Sequence, residues 1–153
     1  MSLEDAYERY AEDLVCYATL LVPRSAAADV VADTFADLVH TGGWSRARHP
    51  KGFLFGAVAN RARMYHRQTT RRRQRERQLV LTTRHSTEEV VDDSSNELLG
   101  VLEALSVQQR EMTYLTYWQD FSVAQVAAAL GVGEGTVRRQ LARARKQLRG
   151  ALS

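Results

Sequence analysis

Two serines in the last third of the chain constrain its fold more than any other feature. Ser106-Val107-Gln108-Gln109 and Ser122-Val123-Ala124-Gln125 share the Ser-x-x-Gln spacing. At that spacing the Ser oxygen and the Gln side chain can satisfy backbone N–H groups left without partners at a helix start. Each serine therefore predicts the first residue before a helix. Gly131 can take the left-handed conformation that ends the second of these helices. A final helix then starts around Glu134, with Val137, Leu141, Ala144 and Leu148 on its inward stripe at steps of four, three and four. Short helices with defined starts and stops leave little room for anything but an all-α fold.

The rest of the chain agrees. Proline and glycine are few, and no run of alternating β-branched residues suggests a strand. The spacing predicts a first helix over residues 3–22, with Tyr7, Tyr10, Leu14, Tyr17 and Leu21 inward and Pro23 as its stop. A second helix is expected from Ser25, taken as N-cap, to His40, burying Val31, Thr34, Phe35 and Leu38. Residues 41–50 read as a loop. A third helix starts near Lys51, reaches at least Arg67, and turns Leu54, Ala57, Val58, Ala62 and Tyr65 inward. Periodicity fades over residues 79–95, which read as a flexible linker. Beyond it Leu98, Leu99, Leu102 and Leu105 form a stripe, and Met112, Leu115 and Trp118 continue the inward face of the following helix. The expected architecture is two small helical domains, residues 1–78 and 96–153, joined by the linker 79–95.

Charge is distributed in blocks. Residues 3–40 carry eight acidic side chains against Arg9 and Arg24, whereas residues 61–78 carry eight arginines and only Glu76. Residues 88–103 hold six acids and no base, and residues 138–149 hold six bases and no acid. Two basic segments, each beside an acidic one, suggest two nucleic-acid contacts and a further surface that seeks cations. Solvated helix faces remain the plain alternative. The single cysteine, Cys16, excludes an internal disulfide, and His40, His49, His66 and His85 lack metal-ligand spacing, so no metal or cofactor is expected. No apolar run is long enough for a membrane span. The acidic, amphipathic start does not read as a secretory signal, which places the chain in the cytoplasm. No nucleophile–base pair or phosphate-cradling glycine loop points to an enzyme.

Residues 122–145 have the build of a helix-turn-helix. Ala127 sits where two helices must cross closely, Gly131 makes the turn, and Val132 and Val137 fill the angle. The last helix then presents Glu134, Thr136, Arg138, Arg139, Gln140 and Arg143 outward, where arginine can grip guanine edges or phosphates. Free N–H groups near Gly133 can meet a phosphate. The Ala-x3-Gly-x5-Val pattern alone also fits a helical hairpin that docks an acidic protein.

These segments resemble a known family. Leu98 to Leu105, Gln109-Arg110-Glu111, Leu130 to Arg138, and Leu141-Ala142-Arg143-Ala144-Arg145 are similar to region 4 of extracytoplasmic-function sigma factors of the sigma-70 family, of the actinobacterial type. Ala27 to Phe35 resembles the region 2 helix that docks on the polymerase core, and Pro50 to Arg61 resembles the promoter-melting helix. The resemblance implies an initiation factor with core RNA polymerase and promoter DNA as partners. Asp29, Val30, Asp33 and Asp37 would meet the clamp helices of the β′ subunit, and region 4 would meet the β flap. Trp44 would capture a flipped base of the −10 element, a role to which stacking suits an aromatic ring; a plug in the domain core is the alternative. Phe53, Asn60, Arg61, Arg63, Tyr65, His66 and Arg67 would line the −10 DNA. Glu134, Thr136, Arg138, Arg139, Gln140 and Arg143 would face the −35 element. An anti-sigma factor is an expected partner, and a membrane is not. The sequence departs from the family at Phe53-Leu54-Phe55, at Gly133, at Ser106-Val107 and at Asp33. A stand-alone helix-turn-helix regulator is the competing reading, although no dimerisation helix is visible. An RNA-binding module would leave the acidic face unexplained.

Overall fold

The computed structural model describes residues 1–79, 100 and 102–152. Among these residues the chain forms six α-helices: α1 (Leu3–Thr19), α2 (Arg24–Thr41), α3 (Pro50–Leu79), α4 (Val107–Tyr117), α5 (Val123–Leu130) and α6 (Glu134–Leu152). A 3-10 turn, Gly43–Arg46, lies between α2 and α3. Leu98, Leu99 and the expected linker from residue 80 onward lie outside the described residues.

Local chemistry accounts for most helix boundaries. Ser2 and Asp5 form a reciprocal cap on α1, and their hydrogen bonds hold the Asp5 carboxyl below its ordinary range. The two expected capping boxes are both present, with Ser106 Oγ accepting from Gln109 N at 3.2 Å and Ser122 Oγ from Gln125 N at 3.1 Å. Such a cap contributes on the order of 1 kcal/mol. Pro50 opens α3 at the position where a missing N–H does no harm. Ser25 is not the cap of α2: the N-cap lies two residues earlier, at Pro23, with no side-chain hydrogen bond there. The preset φ of proline supplies the entry that Ser25 was expected to supply.

Helices α1, α2 and α3 pack on one another through Leu14, Tyr17, Val31, Phe35, Leu54 and Val58, while α4, α5 and α6 enclose Met112, Leu115, Val126, Val137 and Leu141. The buried residues of both groups form a single continuous cluster. Its junction is aromatic. Tyr17 of α1 packs edge-on to Phe55 of α3 at 5.2 Å and against Tyr114 of α4 at 5.5 Å, and Phe55 meets Phe121 at 5.7 Å. Two polar ties reinforce it: Tyr114 Oη donates to the Asp13 carbonyl at 3.2 Å, and Lys51 Nζ to the Gln119 carbonyl at 3.1 Å. Gly56 lies close to α5: a Cβ there would stand 2.4 Å from the carbonyl oxygen of Ala129. Burial of the Tyr17 hydroxyl, which has no hydrogen-bond partner among the described residues, pushes its pKa well up.

Two expected inward residues face out instead. Tyr7 is half exposed, its ring roughly perpendicular to that of Phe35 at 5.0 Å. Trp118 is 49% exposed because α4 ends at Tyr117 and the chain turns away, leaving the indole stacked over Tyr114. Among the described residues no helix is long and apolar enough to cross a membrane.

Candidate nucleic-acid interface

Helices α5 and α6 form the first candidate surface. Gly131 ends α5 at φ 66°, ψ 36°, and its N–H donates to the Ala127 carbonyl. Only glycine adopts that conformation without strain. Ala127 is buried at the crossing, Val137 is fully enclosed, and Val132 packs against the same core. This geometry turns Val137, Leu141 and Ala144 inward and leaves Glu134, Arg138, Arg139 and Arg143 exposed. Thr136 and Gln140 are half-buried. Gln140 ties α6 to α4 by accepting from Gln109 Nε2 at 3.1 Å, so it positions the helix as well as bordering its face. Arg138 pairs with Glu134 at 3.8 Å, and Arg139 donates to Thr136 Oγ1 at 3.4 Å. Both interactions are solvent-facing and worth little, so these guanidinium groups are available to a stronger anion.

Three basic residues outside the expected set extend the same face. Arg145, Lys146 and Arg149 are exposed on α6, and Arg145 donates to the Tyr117 hydroxyl at 3.2 Å. The charge run over residues 138–149 already contained their signal.

The second candidate surface lies on α3, and the structure divides its expected residues. Asn60, Arg63 and Arg67 share one face at helical spacing, together with the exposed Met64. Arg63 donates to Asn60 Oδ1 at 2.8 Å. Arg61 is turned elsewhere: its guanidinium bonds Asp37 at 2.6 Å and lies 3.5 Å from Asp33. Two residues expected on the polymerase-facing stripe thus hold one expected on the DNA. His66 donates from Nε2 to the Leu21 carbonyl and so ties α3 to the end of α1. Tyr65 is half-buried against the core. Trp44 is also half-buried, with Nε1 donating to the Met1 carbonyl at 3.1 Å and its ring edge-on to Phe53 at 6.2 Å.

Asp29, Asp33 and Asp37 line an exposed face of α2, as their spacing predicts. Val30 does not belong to it. That residue is 4% exposed and lies at the border between the acidic face and the buried stripe of Ala27, Val31, Thr34 and Leu38. One step along a helix turns a side chain by about 100°, enough to carry Val30 from the position of Asp29 to that border.

A cleft of about 950 Å³ borders the contact of α3 with α5 and is lined by Phe53, Gly56 and Asn60 of α3, by Gln119, and by Ala128 and Ala129 of α5. Elsewhere along the junction lies a group not anticipated from the sequence. Glu111 of α4 is buried, 4% exposed, with Arg63 of α3 at 3.9 Å. Burial pushes its carboxyl up to about 7, and the guanidinium of Arg63 pulls in the opposite direction. Among the described residues no group of acidic, His or Cys side chains could hold a metal ion.

Residues 95–148 match the family described as Sigma-70, region 4. The chain is 37% identical over 67 residues to the RNA polymerase sigma-E factor of Streptomyces avermitilis, a match covering 40% of this chain and 37% of that one. It is 42% identical over 55 residues to the sigma-E factor of Streptomyces coelicolor, covering 36% and 31%. The matched segments thus span about a third of the length of these curated relatives. The fold is similar to that of the sigma factor RpoE of Bartonella quintana, solved in complex with the anti-sigma factor NepR. That similarity has a TM-score of 0.76 at 22% identity and covers 97% of this chain and 95% of that one. Two findings thus coincide: residues 95–148, which include most of α4 to α6, match region 4 of the sigma-70 family, and the fold over nearly the whole chain is similar to that of a solved sigma factor.

Proposed function

We propose that this chain is a non-enzymatic initiation factor that binds core RNA polymerase and directs it to promoters with −10 and −35 elements. The observation that carries the reading is the α5–α6 helix-turn-helix, with its exposed arginines inside the region 4 match. Arg138, Arg139 and Arg143 hold or read the −35 element, with Arg145, Lys146 and Arg149 adding phosphate contacts. Asn60, Arg63 and Arg67 face the −10 DNA, and Trp44 and Phe53 border the place where a base is unstacked. Asp29, Asp33 and Asp37 meet the clamp helices of β′, and the second half meets the β flap. The division of labour follows the domains 1–78, 79–95 and 96–153. An anti-sigma factor restrains the protein, as the partner of the Bartonella protein suggests, and the site of action is the cytoplasm.

Part of the −10 face looks into the cleft opposite α5, and Arg63 lies beside Glu111. Promoter engagement by that face calls for the two halves to separate.

Run-off transcription with purified core polymerase, with and without the chain, on a genomic promoter library tests the reading. Start-specific transcripts that depend on the chain support it. Sequence-specific binding by the free protein without any such transcript favours a stand-alone regulator instead.

A further inference from the structure

The last third of α3 is a bare rod. Helix α3 runs unbroken to Leu79, yet from Arg67 to Gln78 every residue except the half-buried Thr69 is exposed. The stretch Gln68–Leu79 extends about 18 Å along the helix axis. It carries Arg71, Arg72, Arg73, Arg75 and Arg77 against Glu76 alone, and among the described residues only Arg72 pairs with that acid, at 3.2 Å. Arg67 and Arg71, Arg71 and Arg75, and Arg73 and Arg77 are like-charged pairs one turn apart, which disfavour an isolated helix. A segment this short has little helical stability of its own without packing. Its physical complement is a polyanion.

The arrangement of charge selects the kind of polyanion. At 100° per residue, Arg71 and Arg75 lie on one side of the rod, Arg73 and Arg77 nearly opposite, and Arg72 between. A helix resting on a flat acidic surface needs charge on one face only. A helix lying in a duplex groove meets phosphates on both flanks, and the major groove, about 12 Å wide, admits one helix. Chain order indicates which duplex. The rod follows the −10 face of α3 and precedes the helix-turn-helix that takes the −35 element.

We propose that Arg67–Leu79 of α3 lies in the groove of the duplex between the two promoter elements, held by phosphate contacts from Arg71, Arg73, Arg75 and Arg77. This rests on the sigma-factor reading above. It adds a third DNA contact that reads no bases and sets how strongly promoter binding responds to salt.

The test compares the full chain with the variant R71Q/R73Q/R75Q/R77Q, each with core polymerase, on one promoter fragment over a range of KCl concentrations. Each arginine–phosphate pair removed lowers the slope of log affinity against log salt by about 0.9. Removing two or more such pairs lowers it by about 1.8 or more, so the affinity gap between the two chains narrows roughly sevenfold for each threefold rise in salt. On a fragment whose spacer carries uncharged methylphosphonate linkages, the wild-type slope should fall to that of the variant, and the variant should not change. An unchanged slope in the variant overturns the proposal. So does a variant that loses affinity for core polymerase while keeping its salt slope, which would place the rod on an acidic protein surface. Run-off transcription with the wild-type chain separates the two readings. With transcripts present, the slopes alone decide the rod; with none, the sigma-factor reading fails and the spacer contact fails with it.

Discussion

Glu111→Gln should make the protein more stable at pH 8 and leave it nearly unchanged at pH 4.5. The ordinary value for this carboxyl is 4.5, and burial between the halves raises it to about 7. The folded protein therefore holds a proton on Glu111 that the unfolded chain has already released. Stability from this group is fully present below pH 4.5, is lost as pH rises towards 7, and changes no further above that. At 1.36 kcal/mol per pH unit, the interval from 4.5 to about 7 corresponds to about 3 kcal/mol. Arg63 does not cancel this, because its own side chain is 42% exposed and stands 3.9 Å away. Glutamine keeps the shape of the protonated acid and cannot ionise. Urea unfolding of both chains at pH 4.5 and pH 8 measures the effect, and every other carboxylate cancels in the difference. A variant that is no more stable than wild type at pH 8, or that is destabilised equally at both pH values, would refute the reasoning.

Gly56→Ala should open the junction, because the new Cβ would stand 2.4 Å from the Ala129 carbonyl oxygen. Alanine favours the helix itself by about 1 kcal/mol, so a larger radius of gyration in solution scattering, with α3 still helical, would report loss of the closed packing. Arg139→Ala should lower promoter-specific transcription by about one order of magnitude while leaving core binding intact, consistent with the ~1–3 kcal/mol of a good base contact; equal loss of both in a pull-down and run-off comparison would contradict the −35 assignment. Replacing Asp29 and Asp33 with Lys should abolish association with core polymerase and spare DNA binding by the second half. It also removes one of the two carboxylates beside Arg61, so a melting curve must first show that the fold survives.

Features set by a few neighbouring residues are legible in the sequence alone. The caps at Ser106 and Ser122 and the turn at Gly131 depend on interactions within four residues, and all three are present. The inward stripe of α6 follows from helical period alone. Sequence reasoning fails where a residue's neighbours come from elsewhere in the chain. Val30 shares α2 with the acidic stripe, yet α2 packs on α1 and α3 through the Val30 side. Trp118 follows the apolar spacing of α4, but the helix stops one residue too early to bury it. The pairing of Arg61 with Asp33 and Asp37 joins segments far apart in sequence, so a count of arginines on α3 could not set it apart from Arg63 or Arg67. Glu111 looks like one more polar residue in a short helix until Tyr17 and Arg63 are placed beside it.

Under the function proposed above, Glu111 would also connect the closed packing to DNA binding. Its carboxyl is held in a place that favours the neutral acid, beside an arginine on the face of α3 assigned to the promoter. In the closed arrangement Arg63 faces a partner that is only partly ionised near pH 7. Separation would return Glu111 to water, where it ionises at its ordinary value, and would free Arg63 for a phosphate. Solvent and DNA then pull in the same direction, one through each member of the pair. A fully ionised Arg–Glu pair across the junction would oppose opening as pH rose; this buried one favours it. Replacing Glu111 by Gln removes the solvent's share and leaves Arg63 without this carboxylate throughout, its hydrogen bond to Asn60 retained. The variant therefore separates the energy of closing the halves from the energy of binding DNA.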